Sequence, residues 1–360
     1  MSSTFGKLFT VTTFGESHGA AVGCVIDGCP AGLSLACVDF AADMARRRPG
    51  YSVYASARRE DDDVEILSGV FEGKTLGTPI ALMIRNKGHN SADYDELRDV
   101  FRPSHADFAY QAKYGIRDHR GGGRASGRET AARVAAGVVA KKILAELGVA
   151  VNARVAAIGG IVNDSVDFAQ NADIAALLAD CLEKGDSVGS LAECRIIGLK
   201  SGIGAPVASK LSADLAAAMH SIGGVKGVEI GSGFAAADAL GSLHNDPFTT
   251  HSGRISKTSN NAGGILGGIS DGDEIVVRIA FKPPPSIGIP QPTIDAQGHP
   301  VEISVTGRHD PVIAPRACVV VEAMAAITLV DHILRGLGGG MDVVKKIYMR
   351  CLAKNSCKGS

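Results

Sequence analysis

The chain has 360 residues, enough for one large domain or for two to three of ~150 each, and at 45% hydrophobic against 21% charged it is not a disordered sequence. Its 37 Lys and Arg nearly cancel 38 Asp and Glu, and a net charge of -1 excludes a global field for nucleic acid or an anionic membrane. Eight cysteines with no CxxC pair are too sparse for a disulfide scaffold and read as buried or incidental thiols in a reducing cytoplasm.

Short β-branched or apolar runs bounded by Gly or Pro predict strands, and longer Ala- and Leu-rich stretches predict helices. Strands are expected at Leu8–Phe14 and Ala21–Asp27, then a helix over Val38–Arg48 and strands at Val64–Val70 and Pro79–Arg85. Helices follow over His105–Tyr114 and Arg128–Leu147, a strand at Val151–Ile158, a helix over Ala172–Lys184 and a strand at Cys194–Lys200. The remainder reads as a helix over Lys210–Ile222, strands at Glu274–Phe281 and Val301–Val305, and a helix over Arg316–Leu337. This order lacks the regular βαβ cadence of a doubly wound sheet and predicts an α+β fold with helices layered on largely antiparallel sheets. No 20- to 50-residue repeat and no low-complexity linker divides it, so one domain over residues 1–360 is expected.

The N-terminus lacks the basic start and apolar core of a secretory signal. The longest apolar stretch, Ala317 to Val330, carries Glu322 and falls short of the ~20 residues of a membrane span, so it reads as a buried helix. Glycine is abundant at 45 residues while aromatics reach 5% and Trp is absent, so much backbone must turn tightly or approach something closely.

Five motifs carry chemistry. Phe14-Gly-Glu-Ser-His-Gly19 contains the Gly-x-Ser-x-Gly of a nucleophile elbow, but a strand and not a helix follows, so the segment reads as a hairpin with an imidazole at its tip. Arg46-Arg-Arg48 ends a helix before Pro49 and Gly50, and three guanidinium groups there exceed what the helix dipole needs. A multiply charged anionic small molecule fits them better than nucleic acid. In Phe101-Arg-Pro-Ser-His-Ala-Asp107, Ser104 is placed to cap a helix beginning at His105.

Arg117 to Thr130 is the most informative stretch. Gly122 to Gly127 resembles a Walker A loop, but Arg128-Glu129 stands where Lys and Ser/Thr belong, and Ser126 with Glu129 fits a capping box ahead of an Ala-rich helix. Arg120, Arg124 and Arg128 are expected to converge with free N–H groups on one anion site. Further along, Gly263-Gly-Ile-Leu-Gly-Gly268 clears side chains for a flat ring or a close strand crossing, and Arg308 with Asp310 offers a cation and a carboxylate. No metal-ligand spacing is present, so no metal is expected. The acidic run Glu60–Asp63 reads as a solvated loop.

These motifs, with Tyr114-Gly-Ile-Arg-Asp118, Val225-Lys-Gly-Val-Glu-Ile-Gly231 and Gly307-Arg-His-Asp-Pro311, occur in an order and spacing that strongly resembles chorismate synthase from about Gly6 to Leu334. The resemblance implies a β-α-β-α layered sandwich, a homotetramer, and conversion of 5-enolpyruvylshikimate 3-phosphate to chorismate and phosphate with reduced FMN and no net oxidation. By motif position it implies that His18 serves the reduced flavin near N1, that His105 protonates the departing phosphate, and that Asp310 acts at flavin N5 and the substrate hydrogen. It places FMN contacts on Arg124, Ala125, Ser126, Gly223, Gly224, Gly267, Lys282, Pro283, Pro284, Pro285, Ser286 and Arg308, and substrate anions on Ser17, Arg47, Arg102 and Arg128.

The resemblance also links Arg47 to an NADP site, where Val53 stands in place of an expected basic residue. Gly127 replaces an expected Ala, and Pro284 and Pro285 replace small hydroxyl residues, leaving flavin contacts there to the backbone. No long insertion of the fungal kind is visible. A monofunctional enzyme is expected, supplied by a separate flavin reductase or other source of reduced FMN, with NADPH only as an indirect reductant.

Overall fold

The computed structural model describes residues 3–48, 62–87, 97–165, 167–251, 253–305 and 310–356. The first half runs through β1 (Thr4–Phe5), β2 (Thr10–Phe14), β3 (Ala21–Asp27), α1 (Ala41–Arg47), β4 (Glu65–Ile66), β5 (Val70–Phe71), β6 (Lys74–Thr75), β7 (Ile80–Arg85), α2 (Asp107–Tyr114) and α3 (Thr130–Glu146). Next come β8 (Ala150–Ile158), β9 (Ile161–Val162), α4 (Ala172–Lys184), β10 (Ser190–Ile197), α5 (Leu211–His220), β11 (Val225–Ile230), α6 (Gly241–His244), β12 (Phe248–His251) and β13 (Arg254–Lys257). The chain ends with β14 (Ile265–Leu266), β15 (Ile269–Ser270), β16 (Ile275–Phe281), β17 (Gln291–Ile294), β18 (Pro300–Ile303), α7 (Ala314–Gly336) and α8 (Met341–Ser356).

Two antiparallel five-stranded sheets, ordered β1-β2-β3-β7-β4 and β11-β16-β10-β8-β9, enclose a helical layer. Each sheet turns one face inward by the two-residue period of a strand: Ile80, Leu82 and Ile84 of β7 are buried, as are Ile275, Val277, Ile279 and Phe281 of β16. Between the sheets α3 packs against β3 and α7 against β8, and the two helices lie on each other. Their separation is set by Gly137, where an added Cβ would fall 2.3 Å from Ala323 Cβ and 2.6 Å from Ala323 Cα. Ala131 to Ala140 are all buried, and all but Arg133 are apolar, so the helix is enclosed on every side. By length and composition α7 could cross a membrane, but 83% of its apolar window is buried inside the fold, so it is the core helix expected from the sequence.

The α+β class is therefore observed, with several boundaries moved. The expected strand at Cys194–Lys200 lies at Ser190–Ile197, because Ser190 pairs with Phe281 and Gly198, at φ +84, ends the strand. The Val64–Val70 run splits into β4 and β5, while β11, the β12–β13 hairpin, β17 and α8 carried too little apolar periodicity to be picked out. The helix expected from His105 begins at Asp107. Ser104 does not cap it, being held at φ +59, and no side chain caps at Ala106.

Candidate active site

Phe14 of β2 lies opposite Gly23 of β3, so Gly15 to Gly19 is a hairpin loop, and the nucleophile elbow is absent. Ser17 and His18 are buried in it. Ser17 Oγ donates to the Arg120 carbonyl at 3.2 Å. Asn86 Nδ2 donates to the carbonyls of Glu16 (2.9 Å) and Gly19 (2.8 Å), and Arg124 Nη1 to that of Gly15 (3.0 Å), so the loop is gripped along its length.

The Gly121–Gly123 turn is what joins the separate motifs. Its φ angles of 59°, 82° and 53° lie in the left-handed region, where glycine is strain-free. Space demands glycine as well. A Cβ on Gly121 would stand 2.6 Å from His18 Cδ2 and 2.8 Å from Ser17 Oγ, and one on Gly122 would stand 3.1 Å from His105 Cε1 and 3.5 Å from Arg102 Nη2. His18, Ser17, His105 and Arg102 thus flank one short stretch of bare backbone.

Asp107 lies beneath His105. Its carboxylate is 2.9 Å from His105 Nδ1, accepts from Arg102 Nε (2.8 Å) and Nη2 (3.0 Å), and lies 3.5 Å from Arg117 Nη1. Burial disfavours its charge, yet the hydrogen bonds from His105 and Arg102 outweigh that and hold the carboxyl well below the usual carboxylate range. Arg117 Nη2 also donates to the carbonyls of Leu97, Arg98 and Val100, which fixes the segment leading to Arg102.

The arginines do not converge at the start of α3 as expected. Arg120 folds onto Asp118 (2.8 Å), Arg124 reaches Thr13 Oγ1 (2.7 Å), and Arg128 turns to Asn86 Oδ1 (3.0 Å) and Asp62. Each guanidinium turns to the carboxylate or acceptor oxygen that the fold sets within hydrogen-bond reach. The capping box is likewise half formed. Ser126 Oγ accepts from Arg128 N at 3.3 Å, while Glu129 pairs with Arg133 at 2.9 Å and does not reach back.

Asp62 corrects the reading of the acidic run as solvated. Asp63 is exposed, but the Asp62 side chain is fully buried between Arg47 and Arg128. Burial opposes its charge and the two guanidinium groups overcome it, so its carboxyl titrates below the usual range. Glu60 and Asp61 lie outside the described residues, as does Val53. The Arg46–Arg48 run separates: Arg46 makes a two-pronged bond to Glu322 at 2.7 Å each, whereas Arg47 is buried on Asp62. Arg316 ties Arg47 to Asp310, donating to the Arg47 carbonyl at 2.8 Å and pairing with the Asp310 carboxylate.

A second wall gathers most of the remaining candidates. Lys282 Nζ donates to Ser104 Oγ (3.1 Å) and to its carbonyl, while Lys282 N donates to Gly224 O (2.9 Å). Burial, reinforced by Lys226, moves the Lys282 ammonium below its ordinary range. The Pro284 carbonyl accepts from Ser187 Oγ (2.7 Å), and Val188 N donates to Pro311 O (2.8 Å), which brings the segment through Pro283, Pro285 and Ser286 toward the Asp310 loop. Gly223 beside Gly224 has open space, and Ile313 stands 2.7 Å from a Cβ position on Gly224. Gly267 is not brought to this wall: it sits exposed at the β14–β15 turn, whose neighbours are Gly204 and Leu211. Arg308 lies outside the described residues.

No role for Asp107 or Arg117 was legible in the motifs that contain them, Asp62 read as solvated, and Asn86 and Arg316 carried no mark. The His-x-Asp spacing could have pointed to Asp107, whereas nothing local marks Asp62.

A family model described as chorismate synthase matches residues 9–334 of this chain. The chorismate synthase of Lachnospira eligens is 52% identical over 363 residues, covering 97% of this chain and 99% of that protein. That of Lachnoclostridium phytofermentans is 50% identical over 366 residues with the same coverage, 97% and 99%. That of Opitutus terrae is 50% identical over 353 residues, covering 93% and 97%. A crystal structure of chorismate synthase matches with a TM-score of 0.72 at 33% identity, covering 97% of this chain and 98% of that one.

Proposed function

From the membership of this chain in the chorismate synthase family, which makes it a lyase of the last step of the shikimate pathway, we propose how its residues do the work. The reaction is conversion of 5-enolpyruvylshikimate 3-phosphate to chorismate and phosphate by a 1,4-elimination that depends on reduced FMN. The observation that supports this most directly is the Gly121–Gly123 turn, which leaves bare backbone between His18 and His105 with Arg102 beside them. The turn packs two imidazoles and a guanidinium close together, a set of groups suited to a phosphate-bearing substrate.

In this reading Arg102 neutralises the phosphate and His105 gives a proton to its departing oxygen as the ring C–O bond breaks. Asp310 takes the proton lost from the ring as the new C=C bond forms. Ser17, Arg47 and Arg128 bind the remaining anionic groups, and His18 exchanges a proton with the cofactor. The second wall fits a flavin phosphate, since Lys282 supplies a cation and Gly223 leaves backbone uncovered by side chains. Arg124, Ala125, Ser126, Gly223, Gly224 and Lys282 to Ser286 would hold FMN, with Arg308 completing the set. When bound, the reduced flavin supplies an electron transiently and takes it back, so no net redox change results.

The chain acts as one domain in the cytoplasm, fed by a separate flavin reductase, with NADPH only as indirect reductant. A homotetramer is supported by exposed apolar side chains at Phe234, Leu243, Phe248 and Ile255, which an assembly would bury. Anaerobic incubation with reduced FMN and 5-enolpyruvylshikimate 3-phosphate should release phosphate and chorismate together. FMN binding without phosphate release would reduce the protein to a flavin binder. His105→Ala should lower turnover by roughly 10²- to 10⁴-fold with FMN still bound.

A further inference from the structure

His105 Nδ1 has two neighbours at hydrogen-bond distance, Asp107 Oδ1 at 2.9 Å and Arg102 Nη2 at 3.0 Å, and it can serve one of them. Arg102 carries donors alone and an ionised Asp107 carries acceptors alone. If Nδ1 accepted from Arg102, its lone pair would face the Asp107 oxygen across 2.9 Å, two electron-rich atoms in contact with no proton between them. If Nδ1 donates to Asp107, Arg102 Nη2 still finds Asp107 Oδ1 at 3.0 Å and every group is satisfied. We propose that Asp107 is the positioning residue for His105: it fixes one imidazole proton on Nδ1 and so presents Nε2 to the Gly121–Gly123 turn.

His105 Nε2 lies 3.3 Å from the Cβ position of Gly122, and Arg102 Nη2 lies 3.5 Å from the same point, so the imidazole and the guanidinium meet over bare glycine backbone. The inference rests on the reading that the departing phosphate lies against this turn. It explains how His105 can act without reorienting. In the imidazolium both nitrogens carry protons, the Nδ1 proton bonded to Asp107 and the Nε2 proton facing the turn. Transfer of the Nε2 proton to the phosphate oxygen leaves the neutral ring with its Nδ1–H bond to Asp107 unchanged. The other charged groups here favour the same arrangement. Arg102 and Arg117 on the Asp107 oxygens keep that carboxylate ionised, His18 packs on the neighbouring Gly121, and Lys282 is held by Ser104.

Two measurements on the full chain test this. Nitrogen-15 histidine spectra of the wild-type protein at about pH 8, with the His105 signals assigned by their loss in His105→Ala, should show the neutral ring protonated on Nδ1. A ring protonated on Nε2 overturns the proposal, and this result needs neither a variant of Asp107 nor turnover. Phosphate release should fall roughly 10²- to 10⁴-fold in Asp107→Asn with FMN binding kept, and Asp107→Glu should recover part of it. In the His105→Ala background, Asp107→Asn should cost less than about 3-fold more, because a residue acting through His105 has nothing left to position. Losses that multiply would overturn the proposal, assigning the effect of Asp107 to its hold on Arg102 and not to His105. Wild-type protein that releases no phosphate would overturn the proposed reaction instead, leaving the ring protonation to decide the placement of Asp107.

Discussion

Asp62 shows how much one side chain can hold. Its carboxylate is fully buried between Arg47 and Arg128, and removing it would strand two buried guanidinium groups facing each other. Asp62→Ala should cost about 3–5 kcal/mol in denaturant unfolding, against under about 1 kcal/mol for Asp63→Ala, whose side chain is 78% exposed. Equal losses would mean that Asp62 is solvated after all. The run of acids carried no sign of this difference, because the partners of Asp62 lie 15 and 66 residues away in sequence. The thiols were easier to read. Burial pushes those of Cys24 and Cys318 up to about 12, so at pH 8 iodoacetamide should modify exposed Cys37 and spare these two, as peptide mass spectrometry would show. Modification of Cys24 or Cys318 in folded protein would contradict their burial.

The α3–α7 contact leaves no room for a side chain at its crossing. Even the first carbon of a side chain at Gly137 would meet Ala323 Cα at 2.6 Å, and backbone cannot swing aside as a flexible side chain would. Gly137→Val should destabilise the fold by about 1–3 kcal/mol and lower the thermal midpoint, whereas an unchanged midpoint would mean that the helices separate freely. Helix α4 is the opposite case, an element legible from its own residues. Asn171 Oδ1 accepts from Asp173 N (3.1 Å) and Ile174 N (3.2 Å), and Gly185 at φ 69 closes the other end, so the bounds read from sequence match those observed. Asn171→Ala should cost about 1 kcal/mol without touching activity, measured by urea unfolding and phosphate release together.

Across the whole molecule, acid stability should follow the buried carboxylates. Asp62, Asp107, Glu322 and Asp331 all titrate below their ordinary values: burial opposes each charge, and the partners that outweigh it are Arg47 and Arg128, His105 and Arg102, Arg46 and Lys141, and the Leu8 and Lys7 amides respectively. A carboxyl depressed in the folded state contributes stability that is fully present above its unfolded value near ~4 and is lost as pH falls through the folded value. The urea midpoint should therefore hold between pH 7 and about 5 as far as these groups are concerned, then fall steadily toward pH 3. A midpoint as high at pH 3 as at pH 7 would show that the pairs are already neutral in the folded protein.

What depends on near neighbours and on pattern was legible in the residues alone: the α+β class, the hairpin carrying His18, the buried apolar helix, the bounds of α4, and the ordered motifs that resemble one family. Periodicity, caps and glycine-bounded turns act over a few residues, so they can be read one stretch at a time. Tertiary structure alone decided which carboxylate each arginine meets, that Asp62 is interior, and that Gly121 to Gly123 bring two distant histidines to one turn. Those outcomes depend on side chains packing across long separations. A charge takes whichever partner the folded backbone sets at about 3 Å, and no local pattern encodes that choice.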